Sequence, residues 1–159
     1  MCFIGRLDLK KFLSQKIAEQ PGEIITASGK KIGEHQGLFW YTIGQRRGIN
    51  IGGTGPYYVV EKNFGKNQLV VTGNPKDERL YSSDIAITDV SWVAGSAPDV
   101  SKTYEARIRY REPLSRCRLK DAGNGRYRVL FAKPQWAAAS GQSVVVYEGE
   151  VCVVGGIIA

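Results

Sequence analysis

A chain of 159 residues with 43% hydrophobic and 10% aromatic residues can build a globular core, as one medium domain or two small ones. No stretch reaches the roughly 20 apolar residues of a membrane span, Arg6 and Asp8 interrupt what would otherwise start as a signal peptide, and three cysteines without close spacing argue for a reducing, cytoplasmic compartment rather than a disulfide scaffold. The formal charge of +7 is concentrated: Lys102 to Lys133 holds ten Lys/Arg against three Asp/Glu, and the remainder is neutral.

The chain opens on Met1-Cys2-Phe3-Ile4-Gly5. A thiol at this position has no upstream partner, so the sequence is expected to be the back half of a larger protein. Asp8 is a plausible N-cap, and Leu9, Phe12, Leu13 and Ile17 follow at helical spacing until Gln20-Pro21-Gly22, which predicts one short amphipathic helix. Glu23 to Thr26 and Lys31 to His35 read as strands around a Ser28-Gly29 turn, and Tyr57 to Glu61 and Gln68 to Thr72 read as a second hairpin. Nineteen glycines and many short Val/Ile/Tyr runs fit a mainly β protein. The polar stretch Gly73-Asn74-Pro75-Lys76-Asp77-Glu78 predicts a boundary between domains 1–77 and 78–159. Beyond it, strands are expected near Ala86 to Val93, Tyr104 to Tyr110, Cys117 to Lys120, Arg126 to Phe131, Ser143 to Tyr147 and Val151 to Val154, enough to close a small barrel.

The glycine-rich string from Gly37 to Gly55 is a poor phosphate loop, because Pro56 and a β-run follow where a helix N-terminus would be needed, and no Gly-Lys-Ser/Thr occurs. It is expected to be a kinked loop that exposes Arg46 and Arg47 toward RNA or a neighbouring domain. His35 has no Cys, Asp or Glu at ligand spacing, so it reads as structural and no metal site is expected.

In the basic segment, Arg107, Arg109 and Arg111 alternate with Ile108 and Tyr110. On a period-two strand this places three guanidinium groups on one face. Arg116, Arg118 and Lys120 repeat the pattern around Cys117 and Leu119, and Arg126 and Arg128 repeat it around Tyr127 and Val129. Such a face attracts phosphate, since each neutralised phosphate releases counterions. Tyr110 alternates to the opposite side, and would join the patch only if the strand end before Pro113 twists outward.

Cys2-Phe3-Ile4-Gly5, Tyr41-Thr42-Ile43-Gly44-Gln45-Arg46-Arg47-Gly48, Arg109-Tyr110-Arg111, Ser140-Gly141-Gln142 and Gly149-Glu150-Val151-Cys152 to Gly155-Gly156-Ile157-Ile158 together resemble the tRNA-specific 2-thiouridylase family, in the family's order and across the whole chain. The resemblance implies two small β-barrel-like domains, the second tRNA-binding, and an N-terminal ATP-pyrophosphatase domain that this chain does not contain. ATP with Mg²⁺ would bind there, and no cofactor is expected on these residues. It further implies that the intact enzyme replaces O2 of the wobble uridine with sulfur, that Cys2 carries the transferable persulfide, and that a sulfur-donor relay protein or cysteine desulfurase supplies it. Arg109 and Tyr110 match the family's tRNA-contacting pair at the anticodon stem-loop and Gln142 matches its C-terminal contact, while Cys117 and Cys152 read as core residues. Where the family commonly has Gln and Pro, this chain has Glu112 and Ser140, and the acid is expected to weaken a phosphate contact beside it.

Two other readings stand beside this one. A stand-alone RNA-binding module would need only the basic face. A tRNA methyltransferase would need an S-adenosylmethionine site, and no Gly-rich strand-to-helix turn with a following acid occurs.

Overall fold

The computed structural model describes residues 12, 15–49, 51 and 55–159. The chain divides into two compact units, Met1–Gly73 and Asn74–Ala159, and both are built of β-structure, as the short β-branched runs predict. The helix expected from Asp8 lies largely outside the described residues. Residues 15–17 are turn and bend and 18–21 have no regular structure, so a helical pattern does not continue to Gln20.

In the first unit β1 (Gly22–Thr26), β2 (Lys31–His35), β3 (Tyr58–Asn63) and β4 (Gln68–Thr72) form a four-stranded sheet in the order β2-β1-β4-β3. β1 and β4 run parallel and the two outer pairings are antiparallel. Where a small barrel was expected, the described strands make an open sheet. The loop between β2 and β3 covers one of its faces: Leu38, Tyr41, Ile43, Ile49 and Ile51 pack with Ile24, Val59, Leu69 and Val71. Two backbone bonds hold the loop there, Gly44 N–H to the Val59 carbonyl at 2.8 Å and Val59 N–H to the Gln45 carbonyl at 3.1 Å. His35 is buried; its Nδ1 accepts from the Gly37 N–H at 3.1 Å, which leaves Nε2 to donate to the Asn67 carbonyl at 3.2 Å. Both ring nitrogens are satisfied by backbone, the structural role the sequence suggests.

In the second unit β5 (Tyr81–Trp92), β6 (Tyr104–Arg107), β7 (Ser115–Gly123), β8 (Arg126–Trp136), β9 (Ser143–Glu148) and β10 (Val151–Ile158) close into a barrel in the order β10-β5-β8-β7-β6-β9. Every neighbouring pair is antiparallel, and closure leaves no unpaired edge. The core comes from alternate residues of each strand: Ile85 and Ile87, Tyr104 and Ala106, Cys117 and Leu119, Val129 and Phe131, Val144 and Val146, with Val154 and Ile158. Each fully buried Val, Ile or Leu contributes about 1.5–3 kcal/mol of transfer free energy, so the two-residue period alone sorts these strands into inner and outer faces. Cys117 is part of this core, whereas Cys152 is only half-buried on β10, a correction to its expected core position. The cause is local: Cys152 lies one residue from the β9–β10 turn, where the pairing shifts register between Cys152 and Val154.

Candidate nucleic-acid interface

The strand expected to run through Tyr110 stops at Arg107. Ile108 is buried, and the chain then turns at residues 110–111, with Arg111 at φ 69° and the Glu112 N–H bonded to the Arg109 carbonyl at 3.3 Å. Pro113 has no N–H with which to resume a ladder. Arg107, Arg109 and Arg111 therefore do not share a sheet face, and the expected three-guanidinium row is replaced by three different environments.

Arg109 is turned toward the protein. Its Nη1 donates to the Trp136 carbonyl at 3.1 Å and to Glu112 Oε1 at 3.2 Å, its Nη2 donates to the Ala137 carbonyl at 2.7 Å, and the guanidinium lies 5.0 Å over the Trp136 ring. Glu112 thus takes a donor of Arg109 for itself. Arg111 is exposed, with its guanidinium 5.1 Å over the ring of Tyr110, and Tyr110 is 86% exposed. A large aromatic held in water beside a cation is a stacking surface. Arg107 lies on the outer face of β6, its guanidinium 5.0 Å over the ring of Tyr147 on neighbouring β9, and its Nε is buried without a hydrogen-bond partner.

Gln142 reaches the same place from the loop between β8 and β9. Gly141, at φ 85°, gives its N–H to the Ile158 carbonyl at 2.9 Å, and the Gln142 carbonyl accepts from the Ile158 N–H at 2.8 Å, so the loop is tied to the end of β10. Ser140 adds a hydroxyl bond to the Ala159 carbonyl at 2.9 Å, a tie that a proline there could not make. Gln142 Oε1, like Arg107 Nε, is buried without a partner. Arg107, Arg109, Tyr110, Gln142, Val145 and Tyr147 line one open depression of about 520 Å³. Four residues singled out from sequence meet there, three from positions 107–110 and Gln142 from a loop distant in the chain. Tyr147 and Trp136 were not singled out; the alternation of Ser143 to Tyr147 carried the only signal for the former, and none marked the latter.

The outer face of the β7–β8 hairpin matches its expected pattern. Arg116, Arg118 and Lys120 are exposed while Cys117 and Leu119 between them are buried. Across the pairing, Arg128 faces Lys120, and its Nε is 2.7 Å from Asp84 Oδ1.

In the first unit, Arg46 and Arg47 are exposed and line a depression of about 400 Å³ with Ile49, Ile51, Pro56 and Tyr57. The Gln45 side chain shapes their loop, accepting from the Thr42 N–H at 3.0 Å and donating to the Arg47 carbonyl at 2.9 Å. Cys2 lies outside the described residues. Among the described residues no cluster of His, Cys, Asp and Glu could hold a metal ion, and no helix is long and apolar enough to cross a membrane. β3 rather than a helix follows the glycine-rich loop, so the loop lacks the helix N-terminus that a phosphate loop of this kind uses.

Two family models match the chain: a tRNA methyl transferase PRC-barrel domain over residues 10–73 and an aminomethyltransferase beta-barrel domain over residues 82–158. Among curated proteins the chain is similar to the tRNA-specific 2-thiouridylase of Bordetella petrii, 39% identical over all of this chain and 45% of that protein. The corresponding proteins of Thiobacillus denitrificans and a Marinomonas species are 39% and 42% identical over 99% of this chain and 46% and 42% of their own lengths. The chain therefore spans under half the length of the curated relatives it matches.

Proposed function

This chain belongs to the tRNA-specific 2-thiouridylase family, and on that premise we propose that it is the tRNA-holding part of an enzyme that places sulfur at C2 of the wobble uridine. The observation that carries this reading is the meeting of Arg107, Arg109, Tyr110 and Gln142 around one depression on the barrel. Tyr110 and Arg111 present an aromatic face and a cation to an unpaired nucleotide of the anticodon loop, and Arg107 and Gln142 form the floor. Arg109 acts through its carbonyl bonds, holding the turn that presents Tyr110. Arg46 and Arg47 offer a further phosphate contact from the first unit.

Cys2 is the sulfur carrier in this proposal. A persulfide suits the task because its outer sulfur is nucleophilic and its inner sulfur can leave. In the whole protein ATP would activate O2 of the uracil as an adenylate; the outer sulfur would then bond to C2 as the C2–O2 bond breaks and AMP leaves. Attack by a second thiol on the Cys2 sulfur would break the S–S bond, leaving the transferred sulfur on C2 and a disulfide at Cys2. That second thiol, and the ATP with Mg²⁺ the family requires, belong to parts of the whole protein outside these residues. A sulfur-donor relay protein or cysteine desulfurase recharges Cys2, and the site of action is the cytoplasm.

Titration of labelled tRNA with the chain, alone and with Tyr110→Ala and Arg111→Ala, tests the holding role; unchanged affinity in both variants would refute it. Nucleoside mass spectrometry after incubation with tRNA, ATP and a sulfur donor tests the division of labour. No 2-thiouridine is expected from this chain by itself.

A further inference from the structure

The barrel carries two outer surfaces of different chemistry, a depression lined by Tyr110 and Tyr147 and a strip of cations along β7. We propose that the β7–β8 face, centred on Arg116, Arg118 and Lys120, is a second RNA contact that takes the sugar-phosphate backbone of a base-paired stem. This inference rests on the RNA-binding reading above and assigns that reading a second site.

Three observations carry it. First, the three side chains leave one strand at alternate positions, about 6.5 Å apart, all exposed, with the core residues Cys117 and Leu119 fixing their direction from below. Second, they are not neutralised. Lys102 is paired with Glu148 at 2.7 Å, Arg128 with Asp84 at 2.7 Å and Arg79 with Asp77 at 2.6 Å, yet Arg116, Arg118 and Lys120 make no ion pair or side-chain hydrogen bond among the described residues, although Glu105 lies across the ladder from Arg116. Lys133 joins Arg116, with Glu105, in lining a depression of about 530 Å³ at the same end of the hairpin, two cations against one carboxylate. Concentrated like charge repels itself and favours a bound polyanion. Third, the outward residues across from Arg118 and Lys120 are Leu130 and Arg128, so this part of the face offers no aromatic ring for a base to stack on, whereas Arg116 borders Tyr147 across Glu105. Unpaired RNA is recognised largely by stacking on aromatics, whereas a paired stem is recognised by its shape and its phosphates. The Arg118–Lys120 stretch, cationic and without aromatics, fits the stem, and the Tyr110–Tyr147 depression fits the loop.

The test compares two RNAs, a blunt 16-base-pair duplex and an unpaired oligouridine, by fluorescence anisotropy over a series of potassium chloride concentrations. The Arg116→Gln/Arg118→Gln/Lys120→Gln variant is expected to lower the slope of log affinity against log salt by roughly 2 to 3 on the duplex. Its affinity for oligouridine should change less than twofold. Tyr110→Ala should show the reverse preference. If the triple variant melts early, Arg118→Gln and Lys120→Gln singly should each lower the duplex slope by roughly 0.7 to 0.9. An unchanged duplex slope, or equal losses on both RNAs, would overturn the proposal while leaving RNA binding in place. Failure of the unsubstituted chain to bind either RNA would remove the RNA-binding reading and this inference with it.

Discussion

Arg109 Nη2 donates a 2.7 Å hydrogen bond to the carbonyl of Ala137, a buried residue held at φ 51°, across 28 residues of sequence. With the Trp136 carbonyl at 3.1 Å and the Trp136 ring beneath the guanidinium, this bond fastens the turn after β6 to the end of β8.

Arg109→Ala is accordingly expected to destabilise the barrel. Hydrogen bonds from a charged donor contribute about 1.5–3 kcal/mol each when buried. With the Arg109 side chain 26% exposed, the two carbonyl bonds together are discounted to about 2–3 kcal/mol, and a fall on the order of 10 °C in melting temperature should follow. Thermal unfolding followed by circular dichroism measures this. A melting temperature within 2 or 3 °C of the parent, roughly, would show that the bond does not anchor the turn.

Tyr110→Ala and Arg111→Ala should do the opposite, leaving the melting temperature unchanged because both side chains are exposed. Stacking of a base on an aromatic is worth about 1–3 kcal/mol, so Tyr110→Ala should weaken binding to an unpaired RNA by roughly 5- to 150-fold at one salt concentration. Arg111→Ala should instead lower the salt slope by roughly 0.7 to 0.9, the signature of one lost phosphate contact. A salt-slope change confined to Tyr110→Ala would contradict this assignment.

The thiols should separate by burial. Burial, aided by the charge of Glu105, pushes the Cys117 thiol from its ordinary 9.0 up to about 12, and the thiolate is the reactive form. In a brief iodoacetamide pulse at pH 8, Cys152 should label well ahead of Cys117, with Cys2 expected to be fastest; peptide mapping reads the order. Equal labelling of Cys117 and Cys152 would mean that the core opens freely.

The same shift contributes to a loss of stability at alkaline pH. Between about 9 and about 12 the unfolded chain releases the Cys117 proton while the native chain keeps it, so native stability falls as pH rises through that window. Tyr104, whose phenol burial also pushes up, adds to the loss. Melting temperature should therefore decline above about pH 9, and Cys117→Ala should flatten part of that decline.

Gly156 marks where the barrel tolerates no side chain. A Cβ there would sit 2.8 Å from Ile87 Cδ1 and 3.1 Å from Ile87 Cβ, on the strand that β10 must join to close the barrel. Gly156→Ala should cost about 1–3 kcal/mol, the range for overpacking a close-packed core. Recovery of the melting temperature in Gly156→Ala/Ile87→Val would identify the clash as the cause.

What the sequence determined by itself is the local half of this protein. Cys117 and Leu119 turn inward and Arg116, Arg118 and Lys120 outward because a strand has a two-residue period and the apolar set must be buried. The same reasoning located the ten strands of the described residues, and the β-run after the glycines argued against a phosphate loop. Only the tertiary structure decided the arginines of Arg107 to Arg111. Their alternation is as regular as that of β7, yet the strand ends at Arg107, and Arg109 finds carbonyl partners on β8's far end that no local pattern announces. The depression itself exists because β6 pairs with β9, bringing Arg107 beside Tyr147 and near Gln142. Periodicity is a property of neighbours in sequence, whereas a guanidinium settles wherever the closed barrel leaves carbonyls unpaired, and that depends on residues nearly thirty positions away.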